Sequence, residues 1–204
     1  MTTGKIKLGV LVSGRGTNLQ AIIDCIEQEH LLAEIVLVLS NVQNALALER
    51  GKKHSLESIF VDAKTFSSKE NFDQELADRL KAKEVDLVCL AGYMKILSDS
   101  FIAAFAGKII NIHPSLLPAF PGLHPQRQAL EHGAKISGCT VHFVDTGVDT
   151  GPIILQSAVP VNDDDDEASL STRILEKEHE LYPDAIRLIQ ENRLTLKGRK
   201  IIRK

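Results

Sequence analysis

The chain has 204 residues, 44% of them hydrophobic and 25% charged, enough apolar material for a buried core beneath an ordinary charged surface. A formal net charge of −3 leaves no broad basic field, which argues against nucleic acid and membrane surfaces as partners. Three scattered cysteines, Cys25, Cys89 and Cys139, form no Cys-x-x-Cys pair, which argues against zinc and redox motifs, and Cys89 and Cys139 sit in apolar runs as small buried hydrophobes. No secretory apolar region or long apolar span is visible, so the expected compartment is reducing and cytoplasmic.

In chain order, Leu8-Gly-Val-Leu-Val-Ser13 reads as a buried parallel strand. Thr17 to Glu29 follows as a helix, with Leu19, Ile22, Ile23 and Ile26 at helical spacing. Ile35 to Leu39 is a second strand, Asn44 to Lys53 a helix, and Ser58 to Val61 a short third strand. Lys69 to Lys83 is a helix carrying Phe72, Leu76 and Leu80 on one face. Asp86 to Leu90, a short helix over Ser98 to Phe105, and a strand over Lys108 to Asn111 complete the alternation. Pro114, Pro118, Pro121 and Pro125 then predict a long irregular connection that orders when substrates bind. Gly138 to Asp145 and Pro152 to Val161 read as extended segments. The acidic run Asp163 to Glu167 suits the start of a helix from Ala168 to about Asn192. Leu194 to Ile202 reads as a hairpin turning at Lys197-Gly198. The expected fold is α/β and Rossmann-like: a mostly parallel sheet flanked by helices, with a C-terminal antiparallel extension, in one domain over residues 1–204.

Ser13-Gly14-Arg15-Gly16-Thr17-Asn18 joins the first strand to the first helix. Glycines allow a tight turn, and a helix N-terminus offers free amides and the positive end of a dipole, so a phosphate fits. Leu19 fills the third glycine position of a dinucleotide fingerprint, and the Walker ending is absent. A plain tight turn, with Thr17 or Asn18 near the helix N-cap, explains the loop equally well.

Asn111-Ile-His113-Pro-Ser-Leu-Leu-Pro118 and His142-Phe-Val-Asp-Thr-Gly-Val-Asp149-Thr-Gly151-Pro152 bring an amide, an imidazole and a carboxylate beside backbone-shaping Pro and Gly. That set suits acyl transfer: Asn and a protonated His donate to an oxyanion, and Asp fixes a His tautomer or moves protons. Asn111 lies at the carboxyl end of a strand, where open α/β sheets bind ligands, and should share that edge with the glycine loop and the Gly92-Tyr93-Met94 turn. Each residue has a structural alternative: Asn111 as strand-end satisfaction, His113 as a turn residue, Asp149 as an Asx-turn. His142 alternates within its strand and can face either core or site. Seven histidines without a helical His-x-x-x-His pair argue against a metal centre.

These segments, with Leu90-Ala-Gly-Tyr-Met-Lys-Ile-Leu97 and Glu178-His179-x-x-Tyr182-Pro183, resemble the phosphoribosylglycinamide (GAR) formyltransferase family of folate-dependent enzymes in de novo purine synthesis. The likeness runs along nearly the whole chain. It implies a GAR- and phosphate-binding half over 1–100 and a folate-binding, catalytic half over 101–204. It implies transfer of the formyl group from the co-substrate 10-formyltetrahydrofolate to the amine of GAR, without a metal, by a monomer or homodimer. In that likeness Asn111 donates to the oxyanion, His113 stabilises the same oxygen and helps move protons, and Asp149 holds His113 and an ordered water. The neighbouring carboxylate is then expected to raise the pKa of His113. Gly16, Thr17 and Asn18 take the GAR phosphate, and Glu178 the ribose hydroxyls. Met94, Lys95, Ile96, Leu97, Asn111, Val144, Asp145 and Val148 line the folate site. Two positions depart from the family pattern: Lys95 stands where many relatives carry Arg, which alone offers a bidentate fork, and Leu175 where some relatives are polar.

Other folate formyl-transfer enzymes are the nearest alternatives. A methionyl-tRNA formyltransferase is expected to need an appended RNA-binding domain and a basic surface, and a 10-formyltetrahydrofolate hydrolase an extra N-terminal domain. A noncatalytic phosphate sensor would keep the glycine loop but has no use for Asn111, His113 and Asp149 together.

Overall fold

The computed structural model describes residues 4–204 and divides into two compact units, one ending at Asn111 and one running from Ile112 to Lys204. The first unit alternates strand and helix: β1 (Ile6–Val12), α1 (Thr17–Glu27), β2 (Ala33–Ser40), α2 (Leu46–Lys53), β3 (Ser58–Phe60), α3 (Lys69–Ala82), β4 (Leu87–Leu90), α4 (Asp99–Ala104) and the start of β5 (Ile109–His113). Its strands pair in parallel in the order β3-β2-β1-β4-β5. A parallel strand with helices on both faces must be apolar throughout. β1 meets that demand, with Leu8, Val10, Leu11 and Val12 all fully buried. Phe72, Leu76, Ala77 and Leu80 form the buried stripe of α3, whose start is fixed by the Ser68 hydroxyl accepting from the Asn71 amide. Truncating a fully packed leucine such as Leu80 to Ala would cost roughly 2–5 kcal/mol.

The register places Leu11, Leu90 and Asn111 side by side across three neighbouring strands. The carboxyl ends of β1 and β4 and Asn111 of β5 therefore share one edge, as the sequence led us to expect.

The second unit contains α5 (Pro125–Glu131), β6 (Ile136–Phe143), β7 (Ile153–Pro160), α6 (Glu167–Gln190), β8 (Leu194–Lys197) and β9 (Lys200–Arg203). β6 and β7 are antiparallel, and so are β8 and β9. α6 buries Leu170, Ile174, Tyr182 and Ile186 along one face, and it packs on β6 and β7. The acidic run is the start of this helix. Asp166 forms a capping box with Ser169, while Asp165 grips Arg173 with two hydrogen bonds of 2.7 and 2.9 Å. The Arg173 guanidinium holds the Asp165 carboxyl well below the usual carboxylate range.

The expected mostly parallel α/β fold with flanking helices and a C-terminal antiparallel extension is present. One local expectation needs correction. The proline-rich connection is not irregular to its end, because Pro125 opens α5 at a position where its missing N–H costs nothing. The N-cap of α1 is Gly16, in the left-handed region at φ 71°, with Thr17 and Asn18 directly after it. A Cβ there would collide with Ala47, so the loop excludes larger side chains on both counts. Cys89 and Cys139 are fully buried as expected, and burial pushes the Cys139 thiol up to about 12. Among the described residues no helix is long and apolar enough to cross a membrane.

Candidate active site

In the first unit the strand ends deliver the glycine loop and the Gly92–Leu97 segment to the same edge. The glycine loop is fastened from α2: Ala47 N donates to Gly14 O at 3.2 Å, and Arg50 Nε donates to Arg15 O at 2.8 Å. Thr17 then starts α1 half-buried, with Asn18 buried behind it. That arrangement presents the first amides of α1 beside a left-handed glycine, a geometry suited to an anion. The neighbouring Met94–Leu97 segment has a mixed character. Met94 and Ile96 are 67% and 68% exposed, whereas Leu97 is buried. Lys95 lies over the Phe72 ring, its Nζ 5.7 Å from the centroid. Lys69 Nζ donates to Leu97 O at 3.1 Å, and the Ser98 amide donates to buried Asp73 at 2.6 Å. Tyr93 is buried beside Asp73, and burial pushes its phenol far above its ordinary value.

Asn111 and His113 lie two residues apart on β5, so strand alternation sends both side chains to one face. From His113 onward the second unit supplies a compact group of titratable side chains. His113 Nδ1 is 3.3 Å from Asp149 Oδ2, and both side chains are largely shielded from water. His113 Nε2 lies 2.9 Å from the Phe120 carbonyl. A carbonyl only accepts, so Nε2 carries a proton, and Nδ1 is the nitrogen that exchanges one opposite Asp149. On the other side of the carboxylate, His142 Nε2 stands 3.7 Å from Asp149 Oδ1, and His142 Nδ1 donates to the Phe143 carbonyl at 2.8 Å. His142 therefore faces the site and not the core. Gly122 N donates to Asp149 Oδ2 at 2.8 Å.

These contacts hold Asp149 at φ 54°, a left-handed backbone that costs a non-glycine residue roughly 1–3 kcal/mol. The turn that carries it is tight: a Cβ on Gly151 would run into the Phe143 carbonyl. The Asx-turn belongs to Asp145, whose Oδ1 accepts from Gly147 N at 3.2 Å and Thr150 Oγ1 at 2.6 Å. Arg199, in the β8–β9 turn, donates to the Thr150 carbonyl. A cavity of about 550 Å³ within this unit is lined by Leu117, Pro118, Val148, Asp149, Ile153 and Ile201, among others.

The expected direction of the His113 shift is overturned. Burial pushes its pKa below the ordinary value and outweighs the upward pulls of the Phe120 carbonyl and Asp149. Burial also pushes Asp149 upward, but His142, the Gly122 amide and His113 together hold its carboxyl below the ordinary value. The site is thus a carboxylate set between two imidazoles, an arrangement of groups that can exchange protons. Of the remaining expected ligand contacts, Val144 and Asp145 are half-buried, Val148 is 51% exposed, and Glu178 is buried on the inward face of α6. Sequence reasoning left His142 open and did not find the Phe120 carbonyl or the Gly122 amide. The first sits at a register shift between β6 and β7, where alternation does not settle its facing. The other two are backbone groups whose residue type says nothing about them. Among the described residues no cluster of His, Cys, Asp and Glu is arranged to hold a metal ion.

A family model described as formyl transferase matches residues 6–186. The chain belongs to the formyl transferase family. The phosphoribosylglycinamide formyltransferase of Escherichia coli (strain K12) is 43% identical over 187 residues, which cover 92% of this chain and 88% of that relative. The trifunctional purine biosynthetic protein adenosine-3 of Drosophila melanogaster is 51% identical over 185 residues, which cover 90% of this chain but 14% of the relative's length. A crystal structure of glycinamide ribonucleotide transformylase 1 from Symbiobacterium toebii superposes with a TM-score of 0.96 at 51% identity, covering 98% of this chain and 94% of that one. The resemblance stated from the sequence holds. The family is one of transferase enzymes, and the S. toebii structure shares the fold described above.

Proposed function

We propose that this chain transfers the formyl group of 10-formyltetrahydrofolate to the primary amine of GAR, giving formyl-GAR and tetrahydrofolate. The observation that carries the reading is the buried His113–Asp149 pair, with Nδ1 and Oδ2 3.3 Å apart and Asn111 two residues earlier on the same strand. The names of the E. coli and S. toebii relatives point the same way.

In this reading the amine nitrogen attacks the formyl carbon, and the carbonyl oxygen gathers negative charge. Asn111 donates a hydrogen bond to that oxygen, and the Nε2–H of His113 donates a second. Asp149 accepts the amine proton through an ordered water and returns a proton as the bond between the formyl carbon and N10 breaks. His113 Nδ1 exchanges protons with Asp149 during that cycle. For Nε2 to reach substrate, the Phe120 carbonyl must first leave it, so the chain between Pro114 and α5 shifts when substrates bind. The amides of Gly16, Thr17 and Asn18 take the GAR phosphate, and Glu178 the ribose hydroxyls. Met94, Lys95, Ile96, Leu97, Val144, Asp145 and Val148 enclose the folate, with apolar walls and backbone groups doing most of the recognition. In this reading residues 1–100 supply the phosphate contacts to GAR and residues 101–204 the chemistry, while Met94–Leu97 and Glu178 depart from a strict division by substrate.

A spectroscopic assay with GAR and a 10-formyl dideazafolate donor tests the reading. GAR-dependent deformylation by the wild type, lost in Asp149→Asn, is the expected result. Deformylation that ignores GAR would replace the transferase with a hydrolase. Bound GAR without turnover would leave a phosphate binder.

A further inference from the structure

The glycine loop and the Met94–Leu97 segment are joined by one hydroxyl. Ser13 directly follows β1. Its Oγ donates to Asn41 Oδ1 at 2.6 Å, just past the end of β2, and accepts the backbone N–H of Met94 at 2.8 Å, beyond β4. A hydroxyl has a single proton, so donation to Asn41 aims a lone pair at Met94. The main-chain ladder does not need this bond: Ser13 N donates to Gly92 O at 3.1 Å, and Ala91 N donates to Leu11 O at 2.9 Å. The hydroxyl extends the hold two residues past that ladder, to Met94 itself.

That extension falls where other restraint is weak. With Met94 and Ile96 each about two-thirds exposed, their side chains bury little area to keep the segment in place. The far end is fixed by Lys69 on Leu97 O and by Asp73 on Ser98 N. The near end rests on Ser13. We infer that Ser13, although it opens the glycine loop, is a positioning residue for the formyl-donor side of the site: it fixes the Met94 amide so that Met94 and Ile96 stand preorganised to receive an apolar, planar ring. This inference rests on the assignment of Met94–Leu97 to the folate.

A residue in the glycine loop would ordinarily be expected to affect the phosphate-bearing substrate, so the two KM values separate the explanations. In Ser13→Ala the donor KM should rise about fivefold or more, as for the loss of one hydrogen bond, with the GAR KM within about twofold of wild type. Ser13→Thr, which keeps the hydroxyl, should restore the donor KM. Hydrogen exchange at the Met94 amide, read without any substrate, should accelerate by a similar factor in Ser13→Ala and return in Ser13→Thr. Unchanged exchange at Met94, or a rise in the GAR KM alone, would overturn the inference. A wild type that lacks GAR-dependent turnover would overturn the functional reading, while the exchange result would still decide whether Ser13 holds Met94.

Discussion

The strand-end edge of the first unit and the histidine–aspartate cluster of the second use different materials. The first is built from backbone: a left-handed Gly16, the opening amides of α1, and carbonyls held by Ala47 and Arg50. The second is built from buried titratable side chains gathered around one carboxylate. Backbone recognition depends on shape, and it fails when a Cβ or a torsion is wrong. A side-chain cluster depends on protonation, and it fails when one charge is removed. The two regions should therefore respond to different perturbations.

The largest effect is expected in the cluster. Asp149→Asn keeps the volume and removes the charge between His113 and His142, and kcat should fall about 10²–10⁴-fold while the fold survives. Asn111→Ala should lower kcat about 10²–10³-fold, the usual loss for an oxyanion donor. If either variant turned over normally, the cluster would be structural and the contrast would vanish. On the other edge, Gly16→Ala should cost roughly 1–3 kcal/mol of stability, because a side chain is forced to positive φ against Ala47. It should also raise the GAR KM more than it lowers kcat, and steady-state kinetics beside a urea melt would read both.

The smallest effect is in acid. The pKa of His113 is lowered in the fold, so below the ordinary His value the unfolded chain binds more protons and stability drops as pH falls. Asp149, also lowered, acts with the same sign further down: its contribution is complete above its ordinary value and is lost as pH falls through its folded value. Melting curves between pH 7.5 and 5 should show the wild type losing stability more steeply than His113→Asn. Equal slopes would mean that burial does not govern His113.

Most of the element order was legible because both faces of β1, β2 and β4 are covered, and continuous apolar runs report that directly. The glycine loop could be read because residue type is itself the constraint there. α5 was hidden by the prolines around it, although Pro125 at a helix start is a recognised signal. The facing of His142 was not legible, since the pairing of β6 with β7 shifts between Val141 and His142 and alternation alone cannot place a residue past such an irregularity. The direction of the His113 shift was misjudged for a related reason. A sequence names the partner, Asp149, but not the depth of burial, and burial decides the outcome here.

The bond from Arg199 to the Thr150 carbonyl has a practical side. The β8–β9 turn reaches the residue next to Asp149, so anything that disturbs this hairpin is felt one peptide away from the carboxylate. Arg199→Ala would cut that tie without touching the strands of the first unit. Loss of that single bond would thus weaken the enzyme while its fold remained sound.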